Sequence, residues 1–203
     1  MIRKIWHQEH VVDAIGSRFA LRTYLEQSDV RQWLRQINCQ MTISRACDVG
    51  SGYGRLTPVL AEFAPDVVAF EREAHFVDEI QTLLPQIEVK QVENLSQLPA
   101  NAASFQFILS FTVLQHLTDQ EVTQVANELK RIIAAPGYIL LCEATDVALR
   151  YDEDDSPEGG ITIGRSIELY QRLFAPLTLV ATAPRRVERT YHLSPGSYLL
   201  FAA

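Results

Sequence analysis

The sequence lacks any long apolar segment and contains little cysteine. No apolar run reaches the ~20 residues that a bilayer-spanning helix needs, so no membrane association is expected. The first residues, Met1–His7, contain too short an apolar stretch for a signal peptide. The three cysteines, at positions 39, 47 and 142, do not have the spacing of metal ligands, and no metal site is predicted. We therefore expect a cytoplasmic protein with reduced thiols.

Positive charge is also scarce. The chain has 18 Lys and Arg against 25 Asp and Glu, a net charge of −7, which disfavours a nucleic-acid partner. Its 203 residues, of which 47% are hydrophobic and 21% charged, suffice for one domain with a full core. No repeat, low-complexity tract or long linker divides the chain. We predict a single domain over residues 1–203, and the composition leaves the oligomeric state open.

Three glycines in alternate positions form the clearest motif. Residues 47–54 read Cys-Asp-Val-Gly-Ser-Gly-Tyr-Gly, and a helix-like segment follows at 54–63. Glycine has no Cβ and tolerates positive φ, so the backbone can approach a ligand closely. A helix start adds free N–H groups that suit an anionic ligand. A strand, a tight glycine turn and a helix in this order predict a site for a nucleotide-type cofactor.

The residues around the glycines bear on which cofactor binds. The dinucleotide fingerprint has a glycine where this chain has Arg55, and no Gly-Lys-Ser/Thr of a P-loop follows. A cation at a helix N-terminus is unfavourable with the helix dipole, so Arg55 is predicted to meet a ligand carboxylate. S-adenosylmethionine has such a carboxylate and NAD does not. Glu71 ends the apolar run 67–70, roughly 20 residues past the glycines, where an acid can hold ribose hydroxyls.

On these motifs the chain resembles the class I S-adenosylmethionine-dependent methyltransferases, from about residue 45 to the end. Residues 48–54 look like the first motif of that family and residues 70–71 like the acidic end of its second strand. Residues 92–94 are similar to its adenine-contacting turn, although Glu93 stands where the family more often has Asp. The resemblance implies S-adenosylmethionine as cofactor, with contacts from Asp48, Gly50, Ser51, Gly52, Arg55, Glu71, Arg72, Glu93, Asn94, Ser110 and Phe111.

From residue 45 onward strand-like and helix-like segments alternate. Strands are predicted at 45–49, 67–71, 87–92, 105–111, 138–144, 177–183 and 197–202, and helices at 54–63, 73–84, 119–133 and 165–174. Alternation predicts a parallel sheet covered on both faces. The last two strands have no strong helix between them, so the final one should run antiparallel. The predicted fold class is α/β, with a single Rossmann-like seven-stranded sheet and helices on both faces.

Two helices have clear sequence signatures. Thr118 and Glu121 form a capping box at the start of the helix at 119–133. Before the sheet, Val30 begins a buried helix stripe with spacing i, i+3, i+4 and i+7, for which Ser28 or Asp29 is the predicted N-cap. The resemblance implies that this N-terminal region, residues 1–44, forms a helical cap over the cofactor and the substrate pocket.

Two side chains are candidates for the chemistry. Methyl transfer from a sulfonium needs in-line alignment and exclusion of water, and a base only when the acceptor must lose a proton. His116, in the loop after the fourth strand, would contact the acceptor, remove its proton, or pack the loop. Glu143, at the end of the fifth strand, would act as a base, accept a substrate hydrogen bond, or accept from backbone N–H groups.

Other polar residues lie on the same predicted rim. Asp146 follows the fifth strand, and residues 151–160 form a polar loop that is either solvated or a lid over the acceptor. Arg165 is predicted to begin the next helix and to anchor this loop or bind an acceptor anion. Tyr191 and His192 precede the last strand and are candidates for lining the pocket.

These features predict a methyltransferase that acts on an oxygen or nitrogen of a small-molecule acceptor. One alternative is a protein or peptide amine methyltransferase, because residues 116–120 and the acids at 152–155 resemble the protein amino-terminal methyltransferases. That match is partial: Ala144 stands where those enzymes have a substrate-binding asparagine, and Thr112 where they have an indole. A second alternative is a relative of the same fold that binds the cofactor without turnover.

Overall fold

The computed structural model describes residues 17–151, 160–186 and 196–203 of the chain. In chain order the elements are α1 (Ser17–Asn38), β1 (Arg45–Val49), α2 (Thr57–Ala61), β2 (Asp66–Glu71), α3 (Ala74–Leu83), β3 (Glu88–Gln91), β4 (Phe105–Phe111), a 3-10 turn (Leu114–His116), α4 (Asp119–Ile132), β5 (Ile133–Ala144), β6 (Arg150–Tyr151), β7 (Thr162–Ile163), α5 (Ile167–Phe174), β8 (Thr178–Pro184) and β9 (Gly196–Ala202). None of the described helices combines the length and the apolar character needed to cross a bilayer.

Seven strands form one sheet in the order β3-β2-β1-β4-β5-β9-β8. The pairs β1–β2, β1–β4, β2–β3 and β4–β5 are parallel, whereas β9 runs antiparallel to both β5 and β8. The predicted mostly parallel sheet with an antiparallel last strand is confirmed. The glycine turn after β1, the acid at the end of β2 and the turn after β4 therefore lie along the same edge of the sheet.

Both faces of the sheet are buried. One core cluster joins the sheet to α4 and α5 through residues such as Leu129 and Phe174, and the other joins it to α1, α2 and α3 through residues such as Leu34 and Leu60. Alternate residues of β1 belong to opposite clusters, as expected for a strand between two helical layers. The predicted capping box of α4 is present.

The N-terminal helix differs from its prediction. It begins at Ser17, so Ser28 and Asp29 lie inside α1 and are not its N-cap. Ser28 and Asp29 resemble a helix start in the sequence, but the Asp29 side chain has distant partners. The Tyr198 hydroxyl, for example, donates to Asp29 at 3.3 Å. Tertiary hydrogen bonds therefore allow the helix to continue where local sequence suggests a cap.

Other helix and strand boundaries also differ from the predicted ones. Helix α2 covers only Thr57–Ala61 of the predicted 54–63, because Gly54 has φ +80° and belongs to the turn. Five residues give only a small helix dipole, so α2 could stabilise an anionic ligand less than the predicted helix at 54–63 could. Helix α5 begins at Ile167 with Ser166 as its N-cap, so Arg165 precedes the helix. Strand β5 starts at Ile133, and a short hairpin of β6 and β7 flanks the predicted polar loop.

Candidate active site

The glycine turn after β1 is held by the end of β2. The backbone N–H groups of Gly50 and Ser51 donate to the Phe70 carbonyl at 2.8 and 3.3 Å. The N–H of Gly52 donates to the Glu71 carboxylate at 2.7 Å. These bonds join the glycine turn to the acidic end of β2, the two strongest motifs in the sequence.

The glycines of the turn are required for different reasons. All three have positive φ, between +55° and +80°. A Cβ on Gly50 would lie 2.6 Å from the Val113 side chain, and one on Gly54 would lie 2.9 Å from Ile80. A Cβ on Gly52 would meet no described atom within 4 Å. Packing therefore accounts for Gly50 and Gly54, whereas Gly52 borders open space that a ligand can use.

Two carboxylates frame the turn. Glu71 is buried and accepts hydrogen bonds from the backbone N–H groups of Gly52, Arg72 and Glu73 at 2.7 to 3.0 Å. Asp48 is also buried and accepts from the Thr57 hydroxyl at 2.7 Å. Burial raises the pKa of Asp48 to about 6, although the bond from Thr57 opposes the shift.

Two buried hydroxyls at this edge have no partner. Ser51 follows β1, and Ser110 lies near the end of β4, the strand that pairs with β1. Neither Oγ atom has a hydrogen-bond partner among the described residues. A buried hydroxyl without a partner costs free energy, so a polar ligand at this edge would stabilise both. Together with the open space at Gly52, they make these residues fit a bound nucleoside cofactor.

The predicted adenine-side residues lie beside this edge. The Val92 N–H donates to the Glu71 carbonyl at 2.9 Å, which places the turn after β3 next to the end of β2. Glu93 and Asn94 in that turn are exposed. The Asn94 side chain accepts from Ser96 and so shapes the turn. Their contact with a cofactor stays a prediction.

Arg55 has a protein partner that the sequence did not predict. Its guanidinium donates to the carboxylate of Glu26, a fully buried residue of α1, and lies 4.9 Å from the centre of the Phe111 ring. The Gln27 side chain donates to the Arg55 carbonyl at 2.6 Å. Helix α1 therefore contacts the glycine turn.

A second buried arginine reaches the same carboxylate. Arg185, which follows β8, donates to Glu26 Oε1 from Nε at 3.2 Å and from Nη2 at 2.6 Å. Its guanidinium lies 5.4 Å from the centre of the Phe111 ring. Burial opposes ionisation of Glu26, but Arg55, Arg185 and Arg22 outweigh it, so the pKa of Glu26 is lowered. Glu26 and Arg185 lie 159 residues apart, so no local motif in the sequence predicts that they meet.

Glu143 supports the turn after β4. Its buried carboxylate accepts from the backbone N–H groups of Val113, Leu114 and Gln115 at 2.9 to 3.2 Å. Burial raises the pKa of Glu143 to about 7, although these three bonds oppose the shift. The geometry matches the structural alternative in the sequence analysis, in which Glu143 accepts from backbone N–H groups.

Both ring nitrogens of His116 lie within hydrogen-bond distance of protein groups. Nδ1 is 2.8 Å from the Ile161 carbonyl oxygen, and Nε2 is 3.1 Å from the side-chain nitrogen of Gln115. The Gln115 side-chain oxygen accepts from the Ala144 N–H, which directs its amide N–H groups at the ring. These partners assign the proton to Nδ1 and make Nε2 the acceptor. His116 therefore connects the 3-10 turn to the segment before β7.

Arg165 secures the same turn from the other side. Its buried guanidinium donates to the carbonyls of Leu114 and Leu117 and to the Asp119 carboxylate, at 2.5 to 3.1 Å. These bonds anchor the turn after β4, whereas the sequence analysis expected Arg165 to anchor the polar loop at 151–160 or to bind an acceptor anion, and both of those roles stay predictions. Asp146 is exposed, and its carboxylate accepts from the Ala148 N–H in a surface turn. The acids at 152–155, Tyr191 and His192 lie outside the described residues.

The comparisons with known proteins identify the domain. Residues 47–141, which contain the glycine turn, Glu71 and the end of β4, match the family model described as a methyltransferase domain. This segment of the chain is therefore similar to methyltransferase domains, and the curated relatives that it matches are probable S-adenosylmethionine-dependent methyltransferases. These matches support the predicted family, enzyme class and cofactor.

Curated relatives match only part of the domain. Over 92 residues, 45% of this chain, it is 30% identical to a probable S-adenosylmethionine-dependent methyltransferase of Mycobacterium tuberculosis. It is 28% identical over 92 residues to a similarly named protein of Mycolicibacterium smegmatis. These matches cover 32% and 34% of the relatives, so the chain spans about a third of their length. The activity, acceptor and partners of the whole protein are therefore proposals.

Solved structures share the fold over most of the chain. A methyltransferase from Leishmania major has a TM-score of 0.74 at 20% identity, with 97% of this chain and 78% of that chain covered. One from Clostridium acetobutylicum has a TM-score of 0.72 at 11% identity, with 96% of both chains covered. A phosphoethanolamine N-methyltransferase from Haemonchus contortus, in complex with phosphoethanolamine and S-adenosylhomocysteine, has a TM-score of 0.67 at 20% identity, over 83% and 41%.

Proposed function

We propose that this protein transfers the methyl group of S-adenosylmethionine to an oxygen or nitrogen of a small-molecule acceptor. One arrangement carries the proposal: the open space at Gly52 adjoins the residue whose N–H the Glu71 carboxylate accepts, and the same edge of the sheet carries the buried hydroxyls of Ser51 and Ser110, which have no partner among the described residues. It lies at the carboxyl edge of parallel strands, where ligands of this fold bind. The cofactor supplies an electrophilic methyl group on a sulfonium sulfur.

Each cofactor contact has a chemical reason. The Glu71 carboxylate would accept from the ribose hydroxyls, beside the backbone N–H groups that it already accepts from. Arg55 would hold the methionine carboxylate with the N–H groups that do not face Glu26. Ser51 and Ser110 would gain hydrogen-bond partners. Asp48, Gly50, Arg72, Glu93, Asn94 and Phe111 complete the proposed site.

The acceptor would lie against the turn after β4. His116 and Arg165 hold this turn to the segment around β7, and Glu143 holds it to β5. On the other side α1 contacts the glycine turn through Glu26 and Gln27. With the segment around β7 on one side and α1 on the other, the space at this edge would suit a small acceptor. His116 would position the acceptor, since proton removal by Nε2 requires it to leave Gln115.

Two further observations support this assignment. The net charge of −7 weighs against a nucleic-acid acceptor. Proteins of this fold include a phosphoethanolamine N-methyltransferase and a putative sarcosine dimethylglycine methyltransferase, so the fold accommodates small amines. We also propose a cytoplasmic location, because the three cysteines are free thiols.

Calorimetry and a labelling assay test the proposal. S-adenosylhomocysteine should bind in the micromolar range, about 7–8 kcal/mol, and NAD should not bind. With methyl-labelled cofactor, small amines and phenols should be labelled, and peptides with a free amino terminus should not. Tight binding of NAD without S-adenosylhomocysteine would contradict the cofactor site. Labelling confined to peptides would favour the peptide amine alternative, and cofactor binding with no labelled product would favour the non-catalytic one.

A further inference from the structure

We propose that Arg185 forms an anion subsite for the methyl acceptor, so that the acceptor carries a carboxylate or phosphate group beside the atom to be methylated. This inference rests on the proposed function and deepens it. It arises from a cluster of Glu26, Arg55, Arg185 and Phe111, which comes from four separate parts of the chain.

The two guanidinium groups share one carboxylate and leave donors unused. Arg55 donates from Nη1 to Oε2 of Glu26, and Arg185 donates from Nε and Nη2 to Oε1. Nη1 of Arg185, and Nε and Nη2 of Arg55, have no acceptor among the described residues. Both arginines lie over the Phe111 ring, at 4.9 and 5.4 Å from its centre. The cluster therefore leaves N–H groups of both guanidinium groups, beside one aromatic ring, without an acceptor among the described residues.

Among the described residues, the cations around the Glu26 carboxylate outnumber it. Glu26 is fully buried and faces Arg55, Arg185 and Arg22, so one carboxylate meets three cations. The neighbouring pair of Arg186 and Asp29 adds no net charge. Arg185 is only 6% exposed, and a buried cation without a full counter-charge is costly. Anionic ligand groups at the open edges would remove this cost.

The two arginines reach the cluster from opposite sides of β4, so each is expected to bind a different anion. Arg55 extends from the glycine turn, on the cofactor side of β4. Arg185 follows β8, and in the order β4-β5-β9-β8 it comes from the other side of β4. A bond from its backbone N–H to the Gly196 carbonyl, 2.9 Å long, holds it there. In this arrangement Arg55 takes the cofactor carboxylate and Arg185 faces the acceptor.

A purely structural role for Arg185 makes a different prediction. If Arg185 only held α1 through Glu26, small anions would not bind once the cofactor carboxylate occupied Arg55. The test therefore uses the full chain saturated with S-adenosylhomocysteine, to which sodium acetate or phosphate is added at constant ionic strength, with chloride as reference. Thermal unfolding reports binding, because a ligand that binds the folded state raises the melting temperature.

We expect acetate or phosphate to raise the melting temperature of the complex with a millimolar apparent Kd, and acetamide not to do so. Arg185→Met should weaken this response at least tenfold and leave the affinity for S-adenosylhomocysteine within threefold. Arg185→Lys keeps a charge for Glu26 but not the planar fork, so it should fold and still lose most of the response. Arg22→Met, which removes another partner of Glu26, is the matched control and should keep the response.

Three results would overturn the proposal. The first is a wild-type response to acetate and phosphate no larger than that to chloride. The second is a response that persists in the folded Arg185→Lys variant. The third is a tenfold loss of S-adenosylhomocysteine affinity in Arg185→Met, which would assign Arg185 to the cofactor. Failure of the wild-type protein to bind S-adenosylhomocysteine would instead contradict the proposed function, and this proposal with it.

Discussion

The Glu71 carboxylate accepts a hydrogen bond from the backbone N–H of Gly52, with 2.7 Å between Glu71 Oε2 and Gly52 N. This bond joins the end of β2 to the middle of the glycine turn. Oε1 of the same carboxylate accepts from the N–H groups of Arg72 and Glu73. A residue predicted only to hold ribose therefore also shapes the loop that we propose contacts the cofactor.

Glu71→Ala should reduce cofactor affinity and stability together. Charge-assisted hydrogen bonds contribute roughly 1.5–3 kcal/mol each, so we expect S-adenosylhomocysteine to bind about 10- to 100-fold more weakly by calorimetry. The melting temperature of the free protein should also fall, because three N–H groups lose their acceptor. Glu73→Ala, at a neighbouring acid, is the control and should keep affinity within threefold. An affinity loss below twofold in Glu71→Ala would mean that the ribose is held elsewhere.

Substitutions at two glycines of the turn should affect cofactor binding and stability separately. Gly52→Val places a side chain in open space at positive φ, so the fold should survive while S-adenosylhomocysteine affinity falls at least tenfold. Gly50→Ala should mainly destabilise, because its Cβ would lie 2.6 Å from Val113. The double variant Gly50→Ala, Val113→Ala should recover part of that loss in chemical denaturation. Unchanged affinity in folded Gly52→Val would show that position 52 does not face the ligand.

Thr112 has a strained backbone next to the proposed acceptor site. Its φ is +56°, a conformation that costs a β-branched residue about 1–2 kcal/mol, and Ala103 at the other end of β4 has φ +50°. Thr112→Gly and Ala103→Gly should each stabilise the protein by about 0.5–1 kcal/mol in chemical denaturation. Because only Thr112 lies next to the proposed acceptor site, only Thr112→Gly should lower turnover. Equal turnover in both variants would assign the strain at Thr112 no role in the reaction.

Stability should fall as pH rises through the range in which Asp48 ionises. Its pKa is about 6 in the folded protein against 3.8 ordinarily, so the folded state binds this proton more tightly and loses relative stability between these values. Glu143, with a pKa of about 7, acts in the same direction. Relative to wild type, Asp48→Asn should gain about 2 kcal/mol between pH 4 and pH 8 in urea unfolding.

The control for this experiment is Asp78→Asn, at an exposed carboxylate in α3. It should follow the wild-type pH dependence. Parallel curves for wild type and Asp48→Asn between pH 4 and pH 8 would contradict the raised pKa of Asp48.

His116→Ala should impair the acceptor step and leave cofactor binding intact. Because both ring nitrogens have partners, we expect a positioning role: turnover should fall less than about 100-fold, with the larger effect in apparent acceptor affinity. Both limbs of the pH–rate profile should persist in the variant. A loss of 10²–10⁴-fold accompanied by the disappearance of one limb would instead assign proton removal to His116.

Local patterns predicted the fold well. Alternating segments indicated the parallel sheet, and the capping box at Thr118 located the start of α4. Boundaries failed where distant contacts decided them. Ser28 and Asp29 resembled a helix start, but α1 continues through them, and Gly54 delays α2 because it belongs to the turn.

The sequence by itself determined the glycine turn and its acidic partner, because glycine spacing and strand ends are local properties of the chain. Only the tertiary structure brought Glu26 and Arg185 together, across 159 residues, over the ring of Phe111. It also showed Glu143 and Arg165 holding the turn after β4 rather than standing free for substrate. Hydrogen bonds and burial depend on which distant segments meet, and no local pattern encodes that meeting.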